Sequence, residues 1–285
     1  MGQTHQAMSG WMARAASLPR NVWTLERFGL TPAKLRYRVV PDRRSPRVLS
    51  VSLPKAGTHL LERAVCLHPR LYRKLLPTVW PEALADRWGG LPGLLQALSP
   101  GQVAVAHLPF HEDYAASLHA SRTNALFLIR DPRDIVLSQA HFAVKHPEHP
   151  FHRAFARAPD VRGRIEVAID GDEETGLESI AQRLDRYEGW LHGAALVVRF
   201  EDLIGPEGGG DRDRQRGVVE DVYRHLGVDA SLRLVDRTCD RLFSSDSPTF
   251  RKGAIGGWRT QMDDELLTRF RAAVGNRAER YGYPE

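Results

Sequence analysis

The stretch VLSVSLPKAGTHLLERAV, residues 48–65, decides the fold. Its pattern predicts a buried strand, then a sharp turn that holds Lys55 and Gly57, then a helix that starts at Thr58. A helix N-terminus offers unpaired N–H groups and a partial positive charge, so a turn of small residues lets a phosphate approach the backbone. The stretch therefore predicts an anion site to which Lys55 adds a full charge and Thr58 a hydroxyl. An ordinary capped turn with a surface lysine fits the same residues.

The order of these residues distinguishes the turn from a Walker A loop. In that loop the lysine follows the last glycine, whereas Lys55 precedes Gly57. The pattern Gly-x4-Gly-Lys-Ser/Thr is absent from this stretch. A nucleoside triphosphatase is therefore disfavoured.

Apolar runs elsewhere in the chain predict the rest of a sheet. Strand-like runs lie at 48–53, 102–108, 124–130 and 195–200, and helical stretches lie at 58–67, 132–144, 176–192 and 213–226. Near-continuous apolar strands that alternate with helices are typical of a parallel sheet covered on both faces. The sequence therefore predicts a single α/β domain with a central, mostly parallel sheet flanked by helices. The polar stretches at 145–176 and 201–217, broken by Pro and Gly, are predicted to be loops, and the first is expected to hold substrate specificity.

Positive charge concentrates at the start of the chain. Residues 1–47 hold nine Lys/Arg and two Asp/Glu, a net charge of +7, against +5 for the whole chain. We expect a basic segment at 1–47, with a helix over 10–29, and a main domain at 48–285. Because the folded body carries no basic excess, a nucleic-acid partner is disfavoured. The basic segment is either a solvated helix with a basic link or a patch for an acidic partner or anionic lipid.

The composition also bears on the compartment. No apolar run approaches the roughly 18 residues that a membrane span needs, and the N-terminus lacks the apolar core of a secretory signal. Cys66 and Cys239 are too few for a disulfide framework and are expected to be reduced and buried. The sequence therefore predicts a cytoplasmic protein without a membrane span.

A run of histidines raises the question of a metal site. It consists of His141, His146, His149 and His152. Pro147 and Pro150 break any helix that would bring the rings together, and no cysteine accompanies them. We therefore expect no bound metal.

A second anion site is predicted in LFLIRDPRDIVLSQAHF, residues 126–142. Asp131 and Pro132 are a helix N-cap and first helical residue, so Arg130 falls at the carboxyl end of a strand. Ligands of open α/β sheets bind at that edge, and an arginine grips a phosphate with two N–H groups. Ser138 offers a further hydroxyl donor. The alternative is that Arg130 pairs with Asp134 and that Ser138 is merely exposed.

A third basic turn lies in SPTFRKGAIGGWRTQM, residues 247–262. Arg251, Lys252 and Gly253 precede a glycine-rich run and a helix that is predicted to begin near Asp263. A basic, glycine-rich loop of this kind can close over a bound nucleotide, although a basic surface loop fits as well.

Together the three stretches resemble the sulfotransferases that use 3′-phosphoadenosine 5′-phosphosulfate (PAPS), and the Ala- and Arg-rich composition is typical of a bacterial member. LPKAGTHLL is similar to the 5′-phosphosulfate loop of that family, LIRDPRDIVLS to its 3′-phosphate motif and FRKGAIGGW to its C-terminal Arg-Lys-Gly loop. The resemblance implies the family's P-loop NTPase-like fold. It also implies PAPS as the donor cosubstrate and a small-molecule, lipid, sugar or carrier-bound hydroxyl as the acceptor.

The resemblance also implies roles for individual residues. Lys55, Gly57 and Thr58 would hold the 5′-phosphosulfate, with backbone N–H groups from Ala56 and His59. The 3′-phosphate would be held by Arg130, Ser138, Arg251, Lys252 and Gly253. The family's catalytic histidine lies in a Thr-His-Leu-Pro segment, which His107, Leu108 and Pro109 match, so His107 would be the general base and Lys55 the catalytic cation.

Three positions depart from the family's pattern. Val105 replaces a lysine two residues before the histidine, Leu60 replaces an aromatic after the phosphate loop, and Phe200 stands where a tyrosine is frequent. The departures set the chain apart from animal phenol and steroid sulfotransferases. Two other functions fit parts of the pattern: a kinase-like phosphotransferase, and a protein that binds a bisphosphorylated nucleotide without catalysis.

Overall fold

A computed structural model describes residues 22–243 and 254–284 of the chain. The helices are α1 Val22–Arg27, α2 Pro32–Val39, α3 Thr58–Cys66, α4 Pro81–Trp88, α5 Leu91–Gln96, α6 Asp113–Ser121, α7 Pro132–Ala143, α8 His152–Ala156, α9 Val161–Asp170, α10 Ile180–Tyr187, α11 Phe200–Leu203, α12 Arg212–His225, α13 Leu232–Leu242, α14 Asp264–Val274 and α15 Arg277–Arg280. The strands are β1 Arg47–Ser52, β2 Tyr72–Arg73, β3 Gln102–Ala106, β4 Thr123–Ile129 and β5 Leu196–Arg199, and short 3₁₀ helices span Glu188–Leu191, Pro206–Gly208 and Gly257–Thr260.

The described chain forms two compact units. Among the described residues, the sheet unit comprises 22–129, 189–243 and 254, and the helical unit comprises 130–188 and 255–284. Of the residues predicted to matter, Arg251, Lys252 and Gly253 lie outside the described residues, as does most of the predicted helix at 10–29. Among the residues described, no helix is both long and apolar enough to cross a bilayer.

The sheet unit contains one parallel sheet with the strand order β2-β3-β1-β4-β5. β1 lies at its centre, where Val48 is opposite Val103 on one side and Asn124 on the other. Because helices pack against the sheet, five of the six residues of β1 are buried, the serines Ser50 and Ser52 included. The predicted α/β class with a central parallel sheet flanked by helices is confirmed. The two-residue strand β2 was not predicted, because it is too short to show a pattern.

Two predicted loops contain helices, so those predictions are wrong in part. Helices α8 and α9 lie within 145–176, and most of α11 and the 3₁₀ helix Pro206–Gly208 lie within 201–217, whereas α12 begins at Arg212, one residue before the helix predicted at 213–226. In α9 the side chains of Ile165, Ala168 and Ile169 are fully buried, and Asp160 caps the helix by accepting from the N–H of Gly163. This apolar stripe is masked in the sequence by the arginines and glycine that precede it and by Glu166 within it.

The core of the sheet unit joins the strands to α3, α12 and α13. Val48, Leu126 and Val198 of the strands pack with Leu61 of α3 and Tyr223 of α12 in one buried cluster. The hydroxyl of Tyr223 donates to the carbonyl oxygen of Ala64 at 3.1 Å, so its polar end is satisfied inside the core. Helix α3, which follows the turn of residues 53–57, is therefore fixed along its apolar side.

Helix α3 is also attached by ion pairs and by hydrogen bonds from a charged side chain. The Glu62 carboxylate is buried and accepts from Arg73 Nη1 at 2.7 Å and Arg27 Nη2 at 3.0 Å. Burial by itself would raise the pKa of Glu62, but the two guanidinium groups hold it below its usual range. At the C-terminus of the helix the buried Lys34 ammonium donates to the carbonyl oxygens of Cys66 and Leu71. Helices α1 and α2 thus hold α3 through the half-buried Arg27 and the buried Lys34.

Replacing Glu62 tests how strongly this ionic attachment contributes. Glu62→Gln leaves two guanidinium groups beside a neutral amide, and removing one partner of a buried pair costs about 3–5 kcal/mol. We expect a loss of that size in the free energy of unfolding, measured with urea. The matched control is Glu220→Gln, which removes a pair with Arg224 on the surface of α12 and should cost less than about 1 kcal/mol. Equal losses for the two variants would contradict this account of Glu62.

Candidate functional site

The turn between β1 and α3, residues 53–57, is here called the phosphate turn. Lys55 has φ of 72° and Gly57 has φ of 108°, so two residues of this short turn adopt the left-handed region. A lysine rarely takes that conformation, and such residues concentrate at functional sites. Gly57 is the N-cap of α3, and the N–H groups at the start of the helix have no partner within it. The phosphate turn therefore has the geometry that the sequence predicts for an anion site.

The predicted roles of Ala56 and His59 differ in this geometry. Ala56 is fully buried and its N–H donates to the carbonyl oxygen of Leu53 at 3.1 Å, which closes the turn. His59 lies in the first turn of α3, and its Nδ1 is 3.4 Å from a Glu62 oxygen. The N–H of His59 is thus better placed to meet an anion than that of Ala56.

Gly57 is required by packing as well as by its backbone angle. A Cβ atom at Gly57 would lie 2.5 Å from Cδ2 and 2.9 Å from Cε2 of Phe200. Phe200 begins α11 directly after β5 and is buried. An aromatic ring thus covers the phosphate turn from a strand end far along the chain. Sequence reasoning did not find this contact, although it noted Phe200 as a departure from the family's pattern.

His107 follows the end of β3 and has a fixed orientation. Its Nδ1 lies 2.8 Å from the carbonyl oxygen of Ser52, the last residue of β1. Because a carbonyl oxygen only accepts, Nδ1 must carry the proton, and Nε2 is then the nitrogen with the lone pair. Burial lowers the pKa of His107 to about 4, although its hydrogen bond to Ser52 acts in the opposite direction. At neutral pH His107 is therefore uncharged and presents a basic nitrogen.

Ser52 links the histidine to the phosphate turn. Its Oγ is 2.8 Å from Oγ1 of Thr58 and 3.5 Å from Nδ1 of His107. All three side chains are buried or nearly so. The structure thus brings together Thr58 and His107, which the sequence predicts, around a serine that it does not.

An aromatic residue lies beside the histidine. The indole ring of Trp80 has its centroid 4.6 Å from that of His107, and 37% of Trp80 is exposed. Trp80 reaches this position because Val79 bonds with β3: the N–H of His107 donates to the carbonyl oxygen of Val79 at 2.8 Å. An apolar surface next to a basic nitrogen suits a substrate with an apolar body and a hydroxyl group.

The helical unit holds the second predicted group. Asp131 caps α7 by accepting from the N–H of Arg133 at 2.9 Å, and Pro132 is the first helical residue, as predicted. Arg130 therefore precedes the start of a helix, and its Nη2 is 3.9 Å from the Asp134 carboxylate. Ser138 lies one turn beyond Asp134 on α7 and is partly exposed.

Asp134 also binds the segment that follows the third motif. Its two oxygens accept from the N–H of Gly256 at 2.8 Å and from that of Trp258 at 3.1 Å. The indole N–H of Trp258 donates to Asp131 at 3.1 Å, and its ring lies under the Arg133 guanidinium at 4.1 Å. Burial raises the pKa of Asp134, which the neighbouring Arg130 and the two N–H groups oppose. The glycine-rich segment thus lies at the start of α7.

The histidine run does not form a metal site. His141 bonds with Gln261 at 2.7 Å, and His152 Nδ1 donates to the carbonyl oxygen of Ala143 at 2.9 Å. Across residues 22–243 and 254–284, no group of three His, Cys, Asp or Glu side chains is placed to hold a metal ion.

Replacing Gly57 tests the covered turn. Gly57→Ala adds a methyl group against Phe200 at a backbone angle that alanine avoids, so we expect a loss of more than about 1 kcal/mol in the free energy of unfolding. The affinity for adenosine 3′,5′-bisphosphate (PAP), measured by calorimetry, should fall as well. The control is Gly217→Ala on α12, where nothing lies within 4 Å of the added Cβ and the variant should be at least as stable as the wild type. A Gly57→Ala protein with wild-type stability and affinity would refute the predicted crowding.

Comparison with known proteins gives consistent matches. A family model described as "Sulfotransferase domain" matches residues 45–282. Sulfotransferase 2A2 of Rattus norvegicus is 25% identical over 166 residues, which cover 55% of this chain and 53% of the rat protein. The 3-alpha-hydroxysteroid sulfotransferase of Cavia porcellus is 26% identical over 188 residues, which cover 63% and 58% of the two chains. This chain spans a little more than half the length of these curated relatives.

Solved structures share the fold. Mouse sulfotransferase SULT7A1, complexed with PAP, superposes with a TM-score of 0.60 at 16% identity and covers 85% of this chain and 90% of the mouse chain. Retinol dehydratase, in complex with androsterone and the inactive cofactor PAP, gives 0.52 at 17% identity, with 86% and 83% covered. Since the single family match spans the phosphate turn, His107 and the Arg130 motif, the chain belongs to the sulfotransferase family.

Proposed function

We propose that this protein transfers a sulfuryl group from PAPS to an acceptor hydroxyl, with His107 as the general base. The observation that carries the proposal is the hydrogen bond from Nδ1 of His107 to the Ser52 carbonyl oxygen at 2.8 Å. It selects the tautomer whose Nε2 accepts a proton, next to a turn built for an anion. A base and an anion site in one place are what sulfuryl transfer to a hydroxyl needs.

The donor would bind through the residues of both predicted anion sites. Lys55, Gly57, Thr58 and the N–H of His59 would meet the 5′-phosphosulfate. Arg130 and Ser138 would hold the 3′-phosphate together with residues 251–253. Two similar structures were solved with PAP, the product that PAPS leaves after transfer, which supports this donor. The position at which the family carries a second lysine holds Val105 here, which is buried within β3. We therefore assign the stabilisation of the reacting phosphosulfate to Lys55.

The reaction is a substitution at sulfur. The acceptor hydroxyl gives its proton to Nε2 of His107 while its oxygen forms a bond to the sulfur. The bond between the sulfur and the bridging oxygen of the 5′-phosphate breaks, and PAP leaves with the electron pair. Negative charge grows on that bridging oxygen, so Lys55 and the N-terminus of α3 stabilise the transition state more than the ground state.

Trp80 bears on the class of acceptor. Its exposed indole beside His107 would pack against a ring, a sugar face or a hydrocarbon chain that carries the reacting hydroxyl. Among the similar proteins, retinol dehydratase was solved with androsterone, an apolar molecule. We therefore favour an acceptor with an apolar body over a wholly polar one.

The other two functions fit less well. A phosphotransferase of the Walker type needs its lysine after the last glycine of the turn, and Lys55 precedes Gly57. A protein that only binds a bisphosphorylated nucleotide has no use for a buried, neutral histidine whose Nε2 can accept a proton. His107 therefore favours the enzyme.

Donor binding is the first test. Calorimetric titration should show that PAP binds at least about tenfold more tightly than AMP or ATP, because only PAP carries the 3′-phosphate that Arg130 would grip. Arg130→Ala should reduce the affinity for PAP towards that for AMP. Lys55→Ala should lower turnover with PAPS more than it lowers donor affinity. A wild-type protein with no preference for PAP would overturn the donor assignment.

His107 is tested by turnover and pH. His107→Ala should lower turnover by about 10²–10⁴-fold while PAP affinity stays within about twofold. Since burial lowers the His107 pKa to about 4, the neutral, active form persists on acidification, and kcat/KM should fall through this group only below about pH 5. Ser52→Ala keeps the backbone carbonyl and so should keep most activity. An acidic limb centred near pH 6.5 and abolished in His107→Ala would contradict the lowered pKa.

A further inference from the structure

Helices α1 and α2, with the residues that join and follow them, have part of their polarity reversed. Glu26 and Lys34 point into the protein, whereas several aliphatic side chains point out. The exposed aliphatic residues are Leu25, Leu30, Leu35, Val39 and Val40, here called the outer face. Val39 and Val40 are 71% and 74% exposed, whereas Lys34, between them and α1 in the chain, is 1% exposed. A surface helix of a globular protein normally shows the opposite arrangement.

The inward charges explain why the segment keeps this orientation. Lys34 donates to the carbonyl oxygens of Cys66 and Leu71, and Glu26 accepts from Arg241 Nη1 at 3.1 Å. Arg27 pairs with the buried Glu62. Because Glu26 and Lys34 are buried in these contacts and Arg27 is half-buried, rotating the segment to bury its aliphatic side chains would leave those charges without partners.

The exposed large apolar residues are concentrated in one segment of the chain. Within the described ranges, eight large apolar residues are exposed, and five of them lie in the sixteen residues 25–40. Of the remaining three, Leu75 and Trp80 lie five positions apart and Leu232 stands alone in the chain. Single exposed apolar residues are ordinary, but a contiguous group marks a surface that meets something apolar.

The charge around the outer face is positive. Residues 22–47 contain seven Lys/Arg and two Asp/Glu, a net charge of +5. Both acids are engaged with arginines from outside that range: Glu26 with Arg241, and Asp42 with Arg70 at 2.6 Å. Exposed arginines adjoin the aliphatic residues at positions 36, 43 and 44. An anionic partner is therefore favoured over a neutral one.

We propose that the outer face and its arginines bind an anionic lipid surface, with Leu35, Val39 and Val40 entering the boundary of the acyl chains. A bilayer accepts aliphatic side chains without a matching pocket, and its acidic headgroups complement Arg36, Arg43 and Arg44. A protein partner is less suited, because energetic centres of protein interfaces are rich in Trp and Tyr, and the outer face is wholly aliphatic. This proposal does not depend on the proposed reaction.

The test is co-sedimentation of the full-length protein with vesicles. One set contains phosphatidylcholine alone, and the other contains about one-third phosphatidylglycerol, each at low salt and at about 0.5 M salt. We expect binding to the anionic set at low salt, reduced at high salt. The triple variant Leu35→Ser, Val39→Ser, Val40→Ser should reduce partition at least about tenfold. The matched control, Leu75→Ser with Leu232→Ser, replaces equally exposed leucines elsewhere and should bind as the wild type does.

A second variant separates charge from apolar contact. Replacing Arg36, Arg43 and Arg44 by Gln should remove the preference for anionic vesicles. Unchanged thermal melting and PAP affinity in every variant would show that folding and the donor site are intact. The proposal fails if the wild type ignores anionic vesicles or if the serine variant binds as the wild type does. Dimers in light scattering that the serine variant abolishes, without vesicle binding, would assign the outer face to a second copy of the chain. Vesicle binding seen only after removal of residues 1–21 would assign it to that segment.

Discussion

The arrangement of the base and the phosphate turn depends on the last residue of the central strand. The carbonyl oxygen of Ser52 takes the Nδ1 proton of His107, and the Ser52 hydroxyl contacts Thr58 at the start of α3. Since β1 is bonded on both sides by parallel strands, Ser52 cannot move without disturbing the sheet. A catalytic base and an anion site are useful only when their separation is held within a fraction of an ångström. The end of β1 therefore fixes the positions of both His107 and the phosphate turn.

Helix α3, which follows the phosphate turn, is held by charged groups whose burial is unfavourable in free energy. Glu62 is buried against Arg73 and Arg27, and Lys34 is buried against the carbonyl oxygen of Cys66, the last residue of α3, and that of Leu71 beyond it. Buried ion pairs contribute little net stability compared with apolar residues of the same size, because desolvation offsets their attraction. The ion pairs instead fix the orientation of α3, because a carboxylate between two guanidinium groups has few alternative arrangements. Because Arg27 of α1 and Lys34 of α2 must face these partners, the aliphatic side chains of α1 and α2 lie on the outside.

Local patterns predicted the parts of this protein that depend on neighbours in the chain. The strand, turn and helix around Lys55, and the cap made by Asp131 and Pro132, follow from residues within a few positions of one another. The hydrogen bond between Ser52 and His107 spans 55 positions, and the cover that Phe200 gives Gly57 spans more than twice that distance. No local pattern signals such contacts. Helix α9 was missed for the opposite reason, because charged residues dilute its apolar stripe.

Asp134 has two roles that the sequence could not separate. An arginine followed four residues later by an aspartate on a helix can form an ion pair. The structure contains that pair, with Arg130 Nη2 3.9 Å from the carboxylate, and the Asp134 oxygens also accept from the N–H groups of Gly256 and Trp258 at 2.8 and 3.1 Å. Asp134 therefore fastens the chain that follows residues 251–253 to the start of α7. The same carboxylate thus pairs with Arg130 and holds residues 256–258 beside the second motif.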